Sequence, residues 1–328
     1  MTEVTRRNFV AATSVCTLMM STGIRRATAS DVPVRWASLQ PGFTVLPVQY
    51  ILAKGLSRKH GLHLQNPTPY TAVSTYYNDF VAGNYDVCIG SWDTFAARYQ
   101  AGVPIKYLCT ITDANMIALL APRSGAADVA ALRGKTIAAL QSTGTYRMVR
   151  ALLKEAYSFD MEKDATIQNV DNPAASVTLL MADRADAALS WEPNITTGLQ
   201  KKADLRVLLT AGDVYRQVSG GLDLPYFGVA IRKELADANP GIAAKIGQVF
   251  EDCIQGINAD PAKTIDLFGS KAGVSSETLK EAMGSKRLAF AYRPMNDGQS
   301  RESIVQASAF LARNGLLTKP VDEQFFAI

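Results

Sequence analysis

Apolar residues recur along this chain in two rhythms. Short dense runs read as strands: Val32-Pro33-Val34-Arg35-Trp36-Ala37, Leu62 to Gln65, Tyr85-Asp86-Val87-Cys88-Ile89-Gly90 and Ile105 to Ile111. Between them, apolar positions three and four apart predict helices. Val48, Ile51, Leu52 and Leu56 make one face of a helix from Leu46 to Lys59, with Gly61 close to the expected C′ position. Helices from Val73 to Ala82 and from Thr94 to Ala101 follow. Alternation of this kind predicts a parallel sheet with helices on its faces.

The alternation then restarts. Met116 to Pro122, Lys135 to Leu140, Ala165 to Val170, Ala187 to Ser190, Leu205 to Leu209 and Tyr226 to Arg232 are the expected strands. A short helix is expected over Val129 to Leu132 and another over Pro173 to Ala182. Between Thr145 and Tyr157, Met148, Val149, Leu152, Leu153 and Ala156 form a buried stripe. From about Pro240 to Asn314-Gly315 the pattern is mostly helical, and no repeat of 20–50 residues appears. Two α/β units result. The second opens near Asn115, closes near Pro225, and leaves the final helices to cover the first. The expected domains are a discontinuous first lobe, 30–115 with 226–328, and an inserted second lobe, 116–225. Two crossings between lobes permit hinge closure on a guest in the cleft.

The N-terminus changes the cellular setting. Thr5-Arg6-Arg7-Asn8-Phe9-Val10, a mildly apolar run from Phe9 to Ile24, and Ala27-Thr28-Ala29 predict a twin-arginine export signal over residues 1–29, cut near Ala29. The expected location is the periplasm. The run is too short and too rich in Ser and Thr to span a bilayer, and Val15 stands before Cys16 where a lipoprotein signal wants a small residue. Four Arg and one Glu give residues 1–29 a net +3; the whole chain is +4, so the remainder is about +1. No nucleic-acid patch or polybasic membrane arm is expected. Cys88, Cys109 and Cys253 are sparse and odd in number, which argues buried thiols rather than a disulfide framework, with a Cys88–Cys109 bridge left open. His60 and His63 are the only histidines, in no zinc-like pattern, and no metal or cofactor is expected.

Five segments, in order, carry a family resemblance: Ala53-Lys54-Gly55-Leu56 with His60-Gly61-Leu62; Ala82-Gly83-Asn84-Tyr85-Asp86-Val87-Cys88-Ile89-Gly90; Val129 to Ala138 with its Leu132-Arg133-Gly134-Lys135; Gln141-Ser142-Thr143-Gly144-Thr145; and Ala185-Asp186-Ala187-Ala188-Leu189-Ser190-Trp191-Glu192-Pro193. Together they resemble the periplasmic solute-binding components of nitrate, aliphatic-sulfonate and taurine ABC importers, with thiamine-pyrimidine binders as relatives. The resemblance spans residues 32–315. It implies an α/β, two-lobed periplasmic binding protein fold of the second type, with parallel-rich sheets, flanking helices and a ligand cleft between lobes.

Ligands of open α/β sheets sit beyond the carboxyl ends of the strands, where four loops of this chain are expected. Gln40 to Thr44 offers Gln40 and the apolar wall of Phe43, or a plain turn. In Gly90 to Thr94, Ser91 and Trp92 supply a hydroxyl and an indole N–H, while Asp93 reads equally as an N-cap. Ser142, Thr143, Thr145 and Tyr146 surround a helix start, whose free N–H groups suit an anion such as a sulfonate, carboxylate, nitrate or phosphate. An ordinary Ser/Thr cap is the competing reading, and Arg147 is expected in solvent. Trp191 is placed to stack on a guest and Glu192 to accept from an amine, or to be a solvated loop acid. Tyr226 and Phe227 line the cleft or pack the hinge.

The expected function is delivery of a small organic anion or zwitterion, sulfonate- or taurine-like or carboxylate, to a membrane permease by a monomeric, non-enzymatic receptor. The alternatives are a thiamine-pyrimidine-type binder, a desulfinase-like enzyme on the same fold, and a sensor that feeds a signalling receptor. The desulfinases resembling this chain carry a Cys in the first cleft loop, and Gln40 to Thr44 has none. The cysteine-rich iron motif of the eukaryotic pyrimidine synthases is missing too.

Overall fold

The computed structural model describes residues 32–327; the expected export signal, its cleavage site and Cys16 lie outside the described residues. In chain order the first part runs β1 (Val32–Val34), β2 (Ala37–Leu39), α1 (Val45–Lys54), α2 (Leu56–Lys59), β3 (Leu62–Leu64), β4 (Thr68–Tyr70), α3 (Val73–Ala82), β5 (Val87–Ser91), α4 (Trp92–Gln100) and β6 (Ile105–Thr112). The middle part is β7 (Ile117–Pro122), β8 (Thr136–Ala139), α5 (Gly144–Tyr157), α6 (Met161–Asp164), β9 (Thr166–Asn169), α7 (Pro173–Met181), β10 (Ala187–Trp191), α8 (Asn194–Lys201), β11 (Leu205–Thr210) and α9 (Ala211–Ser219). The last is β12 (Phe227–Arg232), α10 (Lys233–Ala238), α11 (Ile242–Ala259), α12 (Pro261–Phe268), α13 (Ser276–Gly284), β13 (Phe290–Pro294) and α14 (Gly298–Arg313).

Two sheets organise these elements. One has the order β13-β6-β12-β5, the other β11-β7-β10-β8-β9. In the second, β8 pairs in parallel with both β9 and β10, as the strand–helix repeats predict, while β7 runs antiparallel to β10 and β11. In the first, β12 lies antiparallel between β5 and β6, and β13 lies antiparallel on the far side of β6. Both sheets are therefore mixed. Local repeats make same-direction strands, but a chain that leaves one sheet and later returns must lay strands the other way.

Most strands of both sheets are buried on both faces, while the edge strands β9, β11 and β13 are partly exposed. β5 and β10 are inaccessible along their whole length, and α5 covers the second sheet with the predicted Met148, Val149, Leu152 and Leu153 stripe. The chain passes between sheets twice, and the two passages pair with each other: Ala114 N–H donates to Leu224 O at 2.9 Å and Tyr226 N–H to Thr112 O at 2.9 Å.

Several expectations need correction. The Leu46–Lys59 helix breaks at Gly55, whose φ of 62° is left-handed. β13 interrupts the C-terminal helical stretch, because the free edge of β6 accepts Phe290–Pro294. The Val129–Leu132 helix is one 3₁₀ turn, and α9 follows β11 where the apolar pattern predicts no element. Cys88, Cys109 and Cys253 are free and buried. A Cys88–Cys109 bridge is not formed; β12 stands between their strands, with Ala230 opposite Cys88 and Val229 opposite Cys109.

Gly228 is where β12 fits its neighbours most tightly, since an added Cβ would overlap the Cys109 carbonyl oxygen and the Tyr107 hydroxyl. Gly228→Ala is expected to destabilise the fold by about 1–3 kcal/mol through overpacking. Urea unfolding measures this, and an unchanged midpoint would show that β12 has slack.

Candidate functional site

The carboxyl ends of β5, β8 and β10 converge with the start of β12. The register places Phe227 opposite Ser91 and Gly228 opposite Gly90. A cavity of about 30 Å³ lies there, walled by Leu39, Phe43, Thr44, Val73, Tyr76, Tyr77, Ile89, Gly90, Ser91, Thr143, Thr145, Trp191 and Phe227. The aromatic side chains meet across it, with ring centroids 5.2 Å apart for Phe43 and Phe227 and 6.1 Å for Trp191 and Phe227. No charged side chain is part of this wall; its polar groups are mainly the hydroxyls of Thr44, Ser91, Thr143 and Thr145 and of Tyr76 and Tyr77. The volume suits water rather than an organic guest, which needs several hundred cubic ångströms. The two faces are closed on each other.

α5 begins in this wall. Thr143 is its N-cap: the hydroxyl accepts from Tyr146 N–H at 3.2 Å and donates to Leu140 O at 2.8 Å. Gly144 N–H donates across the cleft to Thr94 Oγ1 at 3.1 Å. The expected anion position is already taken. The Asp93 carboxylate, from α4 beneath the other sheet, rests on Gly144 so closely that a Cβ there would overlap both its oxygens. The positive end of a helix favours negative charge, and here the chain supplies it.

Asp93 is 1% exposed. Tyr226 Oη donates to its Oδ1 at 3.2 Å and lies 3.4 Å from Thr145 Oγ1, whereas Oδ2 has no hydrogen-bond partner. Burial pushes the Asp93 carboxyl above its ordinary range, against the pull of Arg147 and of hydrogen bonds from Ser91, Tyr226 and the Thr94 backbone. Desolvation wins because no cation forms an ion pair with Asp93 among the described residues.

Glu192 behaves differently. It is fully buried, and its Oε1 accepts from Arg287 Nε at 2.6 Å and from Thr196 Oγ1 at 3.0 Å, while Oε2 accepts from Thr196 N–H at 3.1 Å. Arg287 precedes β13, so this pair ties the face of the five-stranded sheet to the side of the four-stranded one. Thr278 Oγ1 to Gln200 Oε1 at 2.7 Å, between α13 and α8, is a second tie.

Of the residues expected to hold a ligand, Phe43, Ser91, Thr143, Thr145 and Trp191 are brought into one wall. Asp93 and Tyr226 stand directly behind it. The others are corrected. Trp92 is fully buried and donates its indole N–H to Pro225 O at 3.0 Å, so it anchors the returning chain. Tyr146 points into α6, its hydroxyl 3.4 Å from Glu162 Oε1. Ser142 is exposed outside the wall. The Gln40 amide donates to Ser38 Oγ at 2.9 Å, also outside it. Glu192 is consumed by Arg287 and Thr196. Tyr77 was missed, although Val73 and Tyr77 form an i, i+4 pair on α3; its hydroxyl accepts from Ser91 N–H at 3.0 Å and forbids a side chain at Gly90. Arg287 gave no signal, standing 95 residues from its partner.

The family profile described as NMT1/THI5 like matches residues 45–263. No curated protein matches the chain. Among solved structures, the periplasmic aliphatic sulphonate binding protein SsuA from Escherichia coli is similar at 16% identity and TM-score 0.71, over 90% of this chain and 92% of that one. The alkanesulfonate-binding protein SsuA from Xanthomonas axonopodis pv. citri, bound to MOPS, is similar at 18% identity and TM-score 0.70, over 87% and 94%. A Candida albicans gene product described as having the generic periplasmic binding protein structural fold is similar at 17% identity and TM-score 0.65, over 90% and 94%. The likeness establishes the α/β, two-lobed binding-protein fold.

Two expectations follow from the buried carboxylates. An acid whose pKa is raised by folding binds more protons folded than unfolded, so stability falls as pH rises from the ordinary to the raised value. Asp93→Asn, which removes this term, is therefore expected to raise the melting temperature at neutral pH. The gain should vanish below the ordinary carboxylate range, where both side chains are neutral; a gain that persists in acid would contradict the charge argument. Arg287→Met strands Glu192 and is expected to lower stability by about 3 kcal/mol. Adding Glu192→Gln should return part of that loss in a double-mutant cycle.

Proposed function

The chain belongs to the NMT1/THI5-like family, and on that premise we propose that it is the extracytoplasmic solute-binding component of an ABC importer. It is exported to the periplasm by its twin-arginine signal, acts as a monomer, closes on one small organic solute and hands it unchanged to a membrane permease. The lobes are 30–115 with 226–328, and 116–225, hinged at the paired passages through Ala114 and Tyr226. The observation that carries this reading is the wall itself. Strand ends from two sheets meet in one largely apolar crevice edged by hydroxyls and without a charged side chain, held shut by polar ties that a hinge motion can break. The wall holds no Cys or His to serve as nucleophile or base, which supports a receptor over an enzyme. Phe43, Trp191 and Phe227 favour a guest with a flat or aliphatic body. A sulfonate head is the second reading, favoured by the SsuA likeness.

The test is a thermal-shift screen of small aromatic and aliphatic amines, carboxylates and sulfonates, followed by titration of Trp191 fluorescence. A true guest at 100 times its dissociation constant should stabilise the protein by about 2.7 kcal/mol, saturate at one site and be recovered intact. Recovery of a chemically altered product would make the protein an enzyme instead.

A further inference from the structure

The crevice must widen to admit any organic guest, because about 30 Å³ holds no more than a water or two. Widening separates α5 from α4, and the group uncovered where they touch is Asp93, pressed on Gly144 from the opposite face. Its Oδ2 is buried without a partner. The other nearby carboxylate, Glu192, is saturated by Arg287 and Thr196. An ionised carboxylate is acceptor-only, and the wall offers no Lys, Arg or His to hold an oxyanion beside it.

From this geometry we infer that Asp93 determines specificity, selecting guests whose apolar body carries a cationic or N–H-donating head and rejecting oxyanions. This rests on the receptor reading above. The head takes up Asp93 Oδ2 as the crevice opens, supplying the partner that this oxygen lacks. Ser91 and Tyr226 then orient the carboxylate by hydrogen bonds at its edge, and Thr145 stands beside the Tyr226 hydroxyl. The titratable and charged groups that face Asp93 are Arg147 on α5, Tyr226 and Tyr107. Both phenols are raised by burial and stay neutral at working pH, so the site's proton uptake belongs to Asp93.

The experiment uses calorimetric titration of wild type and Asp93→Asn with benzamidine, phenethylamine and 4-aminopyridine, against benzoate and benzenesulfonate. At least one donor-headed probe is expected to bind wild type, with affinity rising with pH through the range where Asp93 loses its proton. In Asp93→Asn that affinity should fall tenfold or more and lose its pH dependence, while the variant stays folded by circular dichroism. A merely structural Asp93 would not move the pH profile. The inference is overturned if all three donor-headed probes fail, if Asp93→Asn binds them unchanged, or if benzenesulfonate binds wild type more tightly than they do. Benzenesulfonate binding with closure would leave the receptor reading standing. That reading falls separately if no solute in the wider screen shifts Trp191 fluorescence.

Discussion

The antiparallel insertion of β12 between β5 and β6 is the constraint on which the site depends. Its ladder fixes Phe227 opposite Ser91, and so brings residues 136 positions apart into one wall. The same strand carries the chain back from the second sheet, with Tyr226 tied to Thr112 and Trp92 tied to Pro225. The crevice wall and the two passages between the sheets are thus held by neighbouring hydrogen bonds.

Apolar contact between the two faces is set against buried charge. Phe43, Trp191 and Phe227 are shielded from water where the faces meet, and each such side chain gains on the order of 1.5–3 kcal/mol from full burial. The same arrangement buries two carboxylates. Glu192 is compensated by an arginine and two hydrogen bonds from Thr196, so it works as a tie. Asp93 has a helix end, a phenol and a serine but no ion pair, and one oxygen stays unsatisfied. A buried acceptor without a donor costs roughly 1–3 kcal/mol or more. The two acids stand at similar depth and differ in whether folding provides a cation.

This difference redirects the chemistry of α5. A glycine- and hydroxyl-rich helix start is an anion site when its N–H groups face an empty cleft. Here Thr94 takes one of those N–H groups, Thr143 takes another, and Asp93 fills the positive end.

The order of most strands and helices was legible in periodicity alone, because a buried strand and an amphipathic helix each leave a local pattern. So were Phe43, Ser91, Thr143, Thr145 and Trp191 as occupants of one region, since each ends a strand or begins a helix on the same side of a sheet. Strand direction was not legible: β7, β12 and β13 pair according to where the chain returns, and apolar runs carry no direction. Nor were the roles of polar residues. Asp93, Trp92 and Glu192 all sit in loop-like motifs that suit a ligand equally well. Only the folded chain shows one facing a helix end without a partner, one bonded to Pro225 and one paired with Arg287. Hydrogen bonding and desolvation depend on atoms brought from distant parts of the chain, and those distances exist only in three dimensions.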